Sequence, residues 1–270
     1  MDDIDRFLKE DLDEKGDITS EAILGDEEAK AYIVAKEQCI LAGIEEAIET
    51  FKRMGAIAKP LKKDGDETKA NEKIMEIEGK LKAILAAERL ALNFLARMSG
   101  IASLTYELTK ICRRKNPNVR IAATRKTTPG FRKYEKKAVA IGGGYPHRMG
   151  LYDGILIKDN HLACISIREA IRKARRLGLP VEVEVESIED AVIAAEEGAD
   201  VIMLDNMKPA QAVIAASKVR QIKPDVKIEV SGGITPDNIT NYTFADIISL
   251  GMLTHSVKSK DFSLEIEEIR

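Results

Sequence analysis

The chain has 270 residues, 44% of them hydrophobic, with 42 Lys and Arg against 45 Asp and Glu for a net charge of −3. That length supplies one large domain or a barrel with a smaller companion, and it excludes a miniprotein held together by disulfides. Balanced charge excludes a global field that would select a polyanion, so nucleic acid is not an expected partner. Cys39, Cys112 and Cys164 lack the close spacing of a zinc or dithiol site, which predicts reduced thiols in the cytoplasm. The first ten residues are acidic, without the basic-then-apolar order of a secretion signal, and no apolar run approaches the ~20 residues that span a bilayer. No membrane association is expected.

An amphipathic helix is predicted near Met1 to Leu12, followed by a turn at Lys15-Gly16-Asp17 and a cap at Thr19-Ser20-Glu21. Strands follow at Ala31 to Ala35 and Cys39 to Ala42, then a helix from Ile44 to Met54 that stops at Gly55. Strands at Ala56 to Lys59 and Lys73 to Ile77 flank the polar turn Lys63 to Asp66. Leu85, Leu92 and Leu95 share one face of a helix from Leu81 to Met98, which Ser99-Gly100 should interrupt before a second helix to about Lys115.

From Val119 the rhythm changes to short apolar strands alternating with amphipathic helices, the pattern of parallel βα units. Strands are predicted at Val119 to Ala123, Gly154 to Ile157, Val181 to Val185, Asp200 to Leu204, Lys227 to Val230 and Asp246 to Leu250. Helices are predicted at Ile167 to Leu177, Ile188 to Glu197, Pro209 to Ile222 and Pro236 to Tyr242. Six units are too few for an eight-unit barrel, which leaves an incomplete barrel or an open doubly wound sheet. Gly142-Gly143-Gly144 reads equally as a helix stop and as a ligand loop.

The residues that follow these strands are informative. Thr124-Arg125-Lys126, Lys158-Asp159-Asn160-His161, Glu184 with Glu186, Asp205-Asn206, Ser231-Gly232-Gly233 and Gly251 all stand at carboxyl ends, where parallel α/β folds bind ligands. Arg125, Lys126, Arg132, His147, Arg148 and Lys158 form a basic group that calls for an anion, each charge-assisted bond contributing roughly 1.5 to 3 kcal/mol. Glu184 and Asp205 suit one Mg²⁺ shared with substrate phosphates, or ion pairs with Lys126 and Lys158. Ser231 to Gly233, ahead of a helix near Thr235-Pro236, would present bare amides to a phosphate, and Gly251 is a second close-approach position. His147 and His161 have no partner at metal spacing, against a zinc site. The same residues leave other readings open: a lyase with a Schiff base on Lys158, or a phosphosugar binder without catalysis.

The strings Thr124-Arg-Lys-Thr-Thr-Pro-Gly-Phe-Arg132, Gly142-Gly-Gly-Tyr-Pro-His-Arg148 and Ile157-Lys-Asp-Asn-His161 resemble the quinolinate phosphoribosyltransferase family. Gly16 to Thr19, Ala87 to Asn93, Ser99 to Ala102, Val183 to Val185, Met203 to Asn206, Val230 to Gly233 and Ser249 to His255 extend the likeness in the family's order. The resemblance implies an amino-terminal α/β open-faced sandwich (1–102), an incomplete parallel α/β barrel (103–254) and a tail (255–270) that returns to the first part. It also implies phosphoribosyl transfer to quinolinate with decarboxylation, in a homodimer or larger homo-oligomer in which Arg89 reaches the neighbouring site. Quinolinate would be held by Arg89, Arg125, Lys126, His147, Arg148 and Lys158. Phosphoribosyl pyrophosphate and Mg²⁺ would be held by Lys126, Lys158, Glu184, Asp205, Ser231, Gly232, Gly233 and Gly251, with Lys126, Lys158, Glu184 and Asp205 catalytic. Tyr145-Pro146 departs from the family's usual pair before His-Arg and is similar to a sister group associated with molybdenum uptake; the intact Lys158-Asp-Asn-His161 string is similar to the quinolinate enzymes.

Overall fold

A computed structural model describes residues 2–270; Met1, the first residue of the predicted helix, lies outside them. The described residues form two compact units, 2–104 with Val257–Arg270, and Thr105–Ser256.

The first unit opens with α1 (Asp3–Leu12), whose Ile4 and Leu8 are buried one turn apart, and α2 (Ile18–Ile23). The cap of α2 is Asp17 and not the Thr19-Ser20-Glu21 triplet: its carboxylate accepts the amides of Thr19 and Ser20, each at 3.1 Å. There follow β1 (Glu28–Ala35), β2 (Cys39–Ile40), α3 (Ile44–Arg53), β3 (Ile57–Pro60), β4 (Glu67–Thr68), β5 (Glu72–Lys80) and α4 (Leu81–Arg113). Ser99-Gly100 does not interrupt α4. The Ser99 hydroxyl is occupied with the Ala42 backbone, accepting from its amide at 3.0 Å, and a Cβ on Gly100 would lie 2.4 Å from the Lys258 carbonyl. Small residues serve close approach here, and an unbroken hydrogen-bond ladder outweighs their low helix propensity.

The second unit runs β6 (Arg120–Ala122), α5 (Arg132–Ile141), β7 (Ile155–Ile157), α6 (Asp159–Leu162), α7 (Ile167–Arg175), β8 (Val181–Val185), α8 (Ile188–Glu196), β9 (Val201–Asp205), α9 (Pro209–Ile222), β10 (Lys227–Ser231), β11 (Ile247–Ser249) and α10 (Met252–His255). Its six strands are all parallel, in the order β6-β11-β10-β9-β8-β7. Gly142 ends α5 and Gly143 takes a left-handed φ of 80°, so the glycine triplet is a helix stop. The helix predicted from Pro236 is only a 3-10 turn, Ile239–Tyr242. Asn238 prevents an earlier start, because its side chain accepts the Thr235 amide at 2.8 Å and donates to the Gly233 carbonyl at 3.0 Å.

The last strand, β12 (Phe262–Ile269), belongs to the first unit and pairs antiparallel with β1, giving the sheet order β12-β1-β5-β3. One face of this sheet buries Ala29, Ala31, Ile33, Met75 and Ile77 with Phe51 of α3 and Ile84, Ala87 and Leu95 of α4. The other is polar: Lys73 lies 3.5 Å from the Tyr32 ring centre, and the Tyr32 hydroxyl donates to Glu265. Helices cover one side only, as in an open-faced sandwich.

Candidate active site

In the second unit a cavity of about 380 Å³ opens at the carboxyl ends of the parallel strands. All six strands or their ends contribute: Ala123 after β6, Leu156 of β7, Glu184 of β8, Met203 and Asp205 of β9, Glu229 and Ser231 of β10, and Ser249 of β11. One cavity shared by the whole sheet is the geometry of an incomplete barrel.

Side chains two residues apart on a strand share a face, so Glu229 and Ser231 point the same way, as do Met203 and Asp205. The ladder sets Glu229 beside Met203 and Ser231 beside Asp205. Arg125, Lys126, His147, Arg148 and Lys158 supply the cations of the lining. The Arg125 Nε is buried and has no hydrogen-bond partner, a donor left for an anion to satisfy. Lys158 pairs with Glu184, and its backbone amide donates to His161 Nδ1 at 2.9 Å, which fixes the turn into α6.

Glu184 and Asp205, the expected metal ligands, both line the cavity. The Asp205 carboxylate accepts from Asn206 Nδ2 at 2.6 Å. Asn206 takes a left-handed φ of 55°, and its amide donates to the Ser231 carbonyl, tying two strand ends together. Gly232 has a φ of 80°, and a Cβ there would fall 2.2 Å from Asn206 Oδ1. Only glycine fits that turn. Gly232, Gly233 and Gly251 follow their strands but are not lining residues, and no helix amino terminus stands behind Ser231 to Gly233.

One other expectation changes. Arg132 is no free anion receptor, since its Nε donates to Thr127 Oγ1 at 2.9 Å and its Nη1 to the Met149 carbonyl at 3.0 Å. Arg89 belongs to the first unit, is exposed on α4 and does not line the cavity.

His147 lines the cavity but turns its Nε2 into the barrel, 3.3 Å from Glu229 and 3.5 Å from Glu182. Burial alone would lower its pKa; hydrogen bonds and charge from Glu182 and Glu229 hold it up at about 9. The Arg148 amide pulls the other way by donating to Nδ1 at 2.8 Å. An imidazolium has no lone pair there, so while that bond is made the ring keeps its proton on Nε2. Burial raises Glu182, reinforced by the neighbouring Glu229, and Ser249 donates to Glu229 Oε1 at 2.5 Å.

Glu182, Glu229 and Ser249 were not singled out from the sequence. The signal was present: Glu182 stands two residues before Glu184 and Glu229 two before Ser231, so each shares the inward face of a strand-end residue already identified.

The family model for the quinolinate phosphoribosyl transferase C-terminal domain matches residues 101–265, and that for the N-terminal domain matches residues 17–99. The chain belongs to the quinolinate phosphoribosyltransferase family. An Archaeoglobus fulgidus protein named "Probable nicotinate-nucleotide pyrophosphorylase (carboxylating)" is 44% identical over 256 residues, covering 93% of this chain and 98% of its own. The human nicotinate-nucleotide pyrophosphorylase (carboxylating) is 36% identical over 269 residues, 97% of this chain and 90% of its own. The structure of the Francisella tularensis nicotinate-nucleotide pyrophosphorylase superposes with a TM-score of 0.91 at 36% identity, covering 98% of this chain and 94% of that one. Among the described residues no helix is long and apolar enough to cross a membrane.

Proposed function

We propose that this family member transfers the phosphoribosyl group of phosphoribosyl pyrophosphate to quinolinate with loss of CO₂, giving nicotinate mononucleotide and pyrophosphate for NAD biosynthesis. The observation that carries the reading is one cavity in which Arg125, Lys126, Arg148 and Lys158 face strand-end acids, with the Arg125 Nε buried and unpartnered. A dicarboxylate and a diphosphate are the kind of substrate pair such a cavity favours, because converging guanidinium and ammonium groups discriminate for anions.

In the reaction the pyridine nitrogen forms a bond to C1 of the ribose as the C1–O bond to pyrophosphate breaks. Lys158 and Lys126 offset charge that develops on the leaving group, an electrostatic role whose effect grows as water is excluded. The ribosylated ring is a cation, so it can take up the electron pair left at C2 when the carboxylate departs as CO₂, and C2 then gains a proton. Arg125 and Arg148 are assigned to orienting the dicarboxylate and His147, whose ring nitrogens engage Glu229 and the Arg148 amide, to holding Arg148 beside it; no covalent attachment to the protein is required.

The available donors, the carboxylates of Glu184 and Asp205 beside the Ser231 hydroxyl, are all oxygen, which suits Mg²⁺. Bound there, Mg²⁺ would neutralise diphosphate charge, and Glu184 would exchange part of its contact with Lys158. Gly232, Gly233 and Gly251 are assigned to close backbone approach of phosphate. The working assembly is a homodimer or larger homo-oligomer in the cytoplasm in which Arg89 reaches a neighbouring copy's cavity; its exposed position on α4 supports this reading.

Substrate selectivity tests the proposal. With phosphoribosyl pyrophosphate and Mg²⁺, quinolinate should be converted to nicotinate mononucleotide at least a hundredfold faster, in kcat/KM, than nicotinate, which lacks the 2-carboxylate; that ratio, about 2.7 kcal/mol, is the upper end of what one charge-assisted bond supplies. Equal turnover of nicotinate would contradict it.

A further inference from the structure

His147 adopts a left-handed φ of 57°, a conformation that costs a residue with a side chain stability unless its surroundings enforce it. The enforcing group is Lys136 of α5, which is 1% exposed and lines neither the reactive cavity nor the second cavity of the unit. Its Nζ donates to the carbonyls of Pro146 and Arg148, the second at 2.8 Å, and so grips the turn on both sides of His147. Asp153 accepts the Met149 amide at 2.8 Å, and Arg132 donates to the Met149 carbonyl at 3.0 Å. From the opposite side Glu229 and Glu182 receive His147 Nε2. Arg148 is left with its Nη1 on the Gly154 carbonyl at 3.1 Å and its side chain in the cavity lining.

We infer that Lys136 is a positioning residue for the ring-acid half of the site, holding the Pro146 to Met149 turn so that Arg148, braced by His147, meets the dicarboxylate in one fixed orientation. The inference rests on the proposed function; Lys136 itself does not line the cavity.

A buried ammonium paired with carbonyls is an expensive way to hold a turn. Burial, and then the charge of Arg132, lower the Lys136 pKa to about 8. An apolar side chain of similar length would escape that cost but leave the Pro146 and Arg148 carbonyls without this donor, so filling space does not explain a lysine here. Its geometry does: an ammonium can donate to two carbonyls that diverge around one residue. Selective action is also expected, because Lys126, Lys158, Glu184, Asp205 and Ser231, assigned to the phosphoribosyl side, stand on other strand ends.

The test compares steady-state constants for both substrates in Lys136→Met and Asp153→Ala. Loss of the Lys136 grip should raise the KM for quinolinate tenfold or more, since small misplacements of binding groups cost up to about a hundredfold, while the KM for phosphoribosyl pyrophosphate and kcat at saturating quinolinate stay within about threefold. Asp153 is exposed and outside the reactive cavity, so Asp153→Ala should fold even if Lys136→Met does not, and should give a smaller shift of the same kind. A general structural role would lower the melting temperature and degrade both substrates together. The inference is overturned if every variant that folds leaves the quinolinate KM unchanged, or if both KM values rise in parallel. Wild-type turnover, measured alongside, separates this failure from failure of the functional reading: an inactive wild type sinks the reading, whereas an active wild type with unsplit variants sinks only the role of Lys136.

Discussion

Arg125 follows β6 at the cavity wall, and its Nε is buried without a partner. An unsatisfied buried donor costs stability in the free protein and becomes a directed contact once a carboxylate arrives. Arg125→Ala should therefore raise the quinolinate KM about ten- to a hundredfold, matching roughly 1.5 to 3 kcal/mol for one charge-assisted contact. The KM for phosphoribosyl pyrophosphate should change far less; the reverse pattern would reassign Arg125 to the phosphate side. Individual residues were legible where a strand end put a charge next to an apolar run, as with Lys158, Glu184 and Asp205. Lys136 was not, because a lysine in the helical run Arg132 to Ile141 looks like any solvent-facing charge until the fold buries it. Arg132 was legible as a cation, but its use on Thr127 and Met149 depends on a turn geometry that sequence does not encode locally.

Elements were read best where hydrophobic periodicity and length agreed. β8 and α9 were predicted at their observed bounds, Val181–Val185 and Pro209–Ile222. Errors fell where a side chain bonds the backbone and overrides propensity. Asn238 turns a predicted helix into a 3-10 turn, and Ser99 with Gly100 marks a close contact within α4 and not its end. Asp246 shows the same principle as a stabilising device at the amino end of β11. Its carboxylate accepts the Ile228 amide at 2.9 Å and pairs with Arg220 at 3.0 Å and Lys227 at 3.2 Å, linking β10, α9 and β11. Burial would raise its pKa, but these donors outweigh it and hold the group below the ordinary value of 3.8. With the folded pKa depressed, the stabilisation is fully present above pH 3.8 and is lost as pH falls through the folded-state pKa. Asp246→Asn should cost about 1 to 3 kcal/mol in urea melts at pH 7, and the gap to wild type should close at lower pH. A gap that stays constant down to acid-unfolding conditions would mean that the carboxylate charge is not what holds these elements together.

At the scale of the whole molecule, a chain whose charges nearly cancel concentrates Arg125, Lys126, Arg148 and Lys158 in one cavity. Overall composition could exclude nucleic acid as a first expectation but could not locate that concentration; the alternation of six βα units did, by bringing separate strand ends to one rim. Whether the sheet curls or lies open was left undecided by the sequence, since closure depends on strand stagger and twist accumulated across the sheet. On the proposed function, the cavity couples phosphoribosyl transfer to loss of the 2-carboxylate. Quinolinate carrying a carbon label in that carboxylate, incubated with phosphoribosyl pyrophosphate, Mg²⁺ and the protein, tests this coupling. Labelled CO₂, nicotinate mononucleotide and pyrophosphate should appear in equal amounts, with no label in the nucleotide. Nucleotide that retains the label, or CO₂ released without pyrophosphate, would contradict the account.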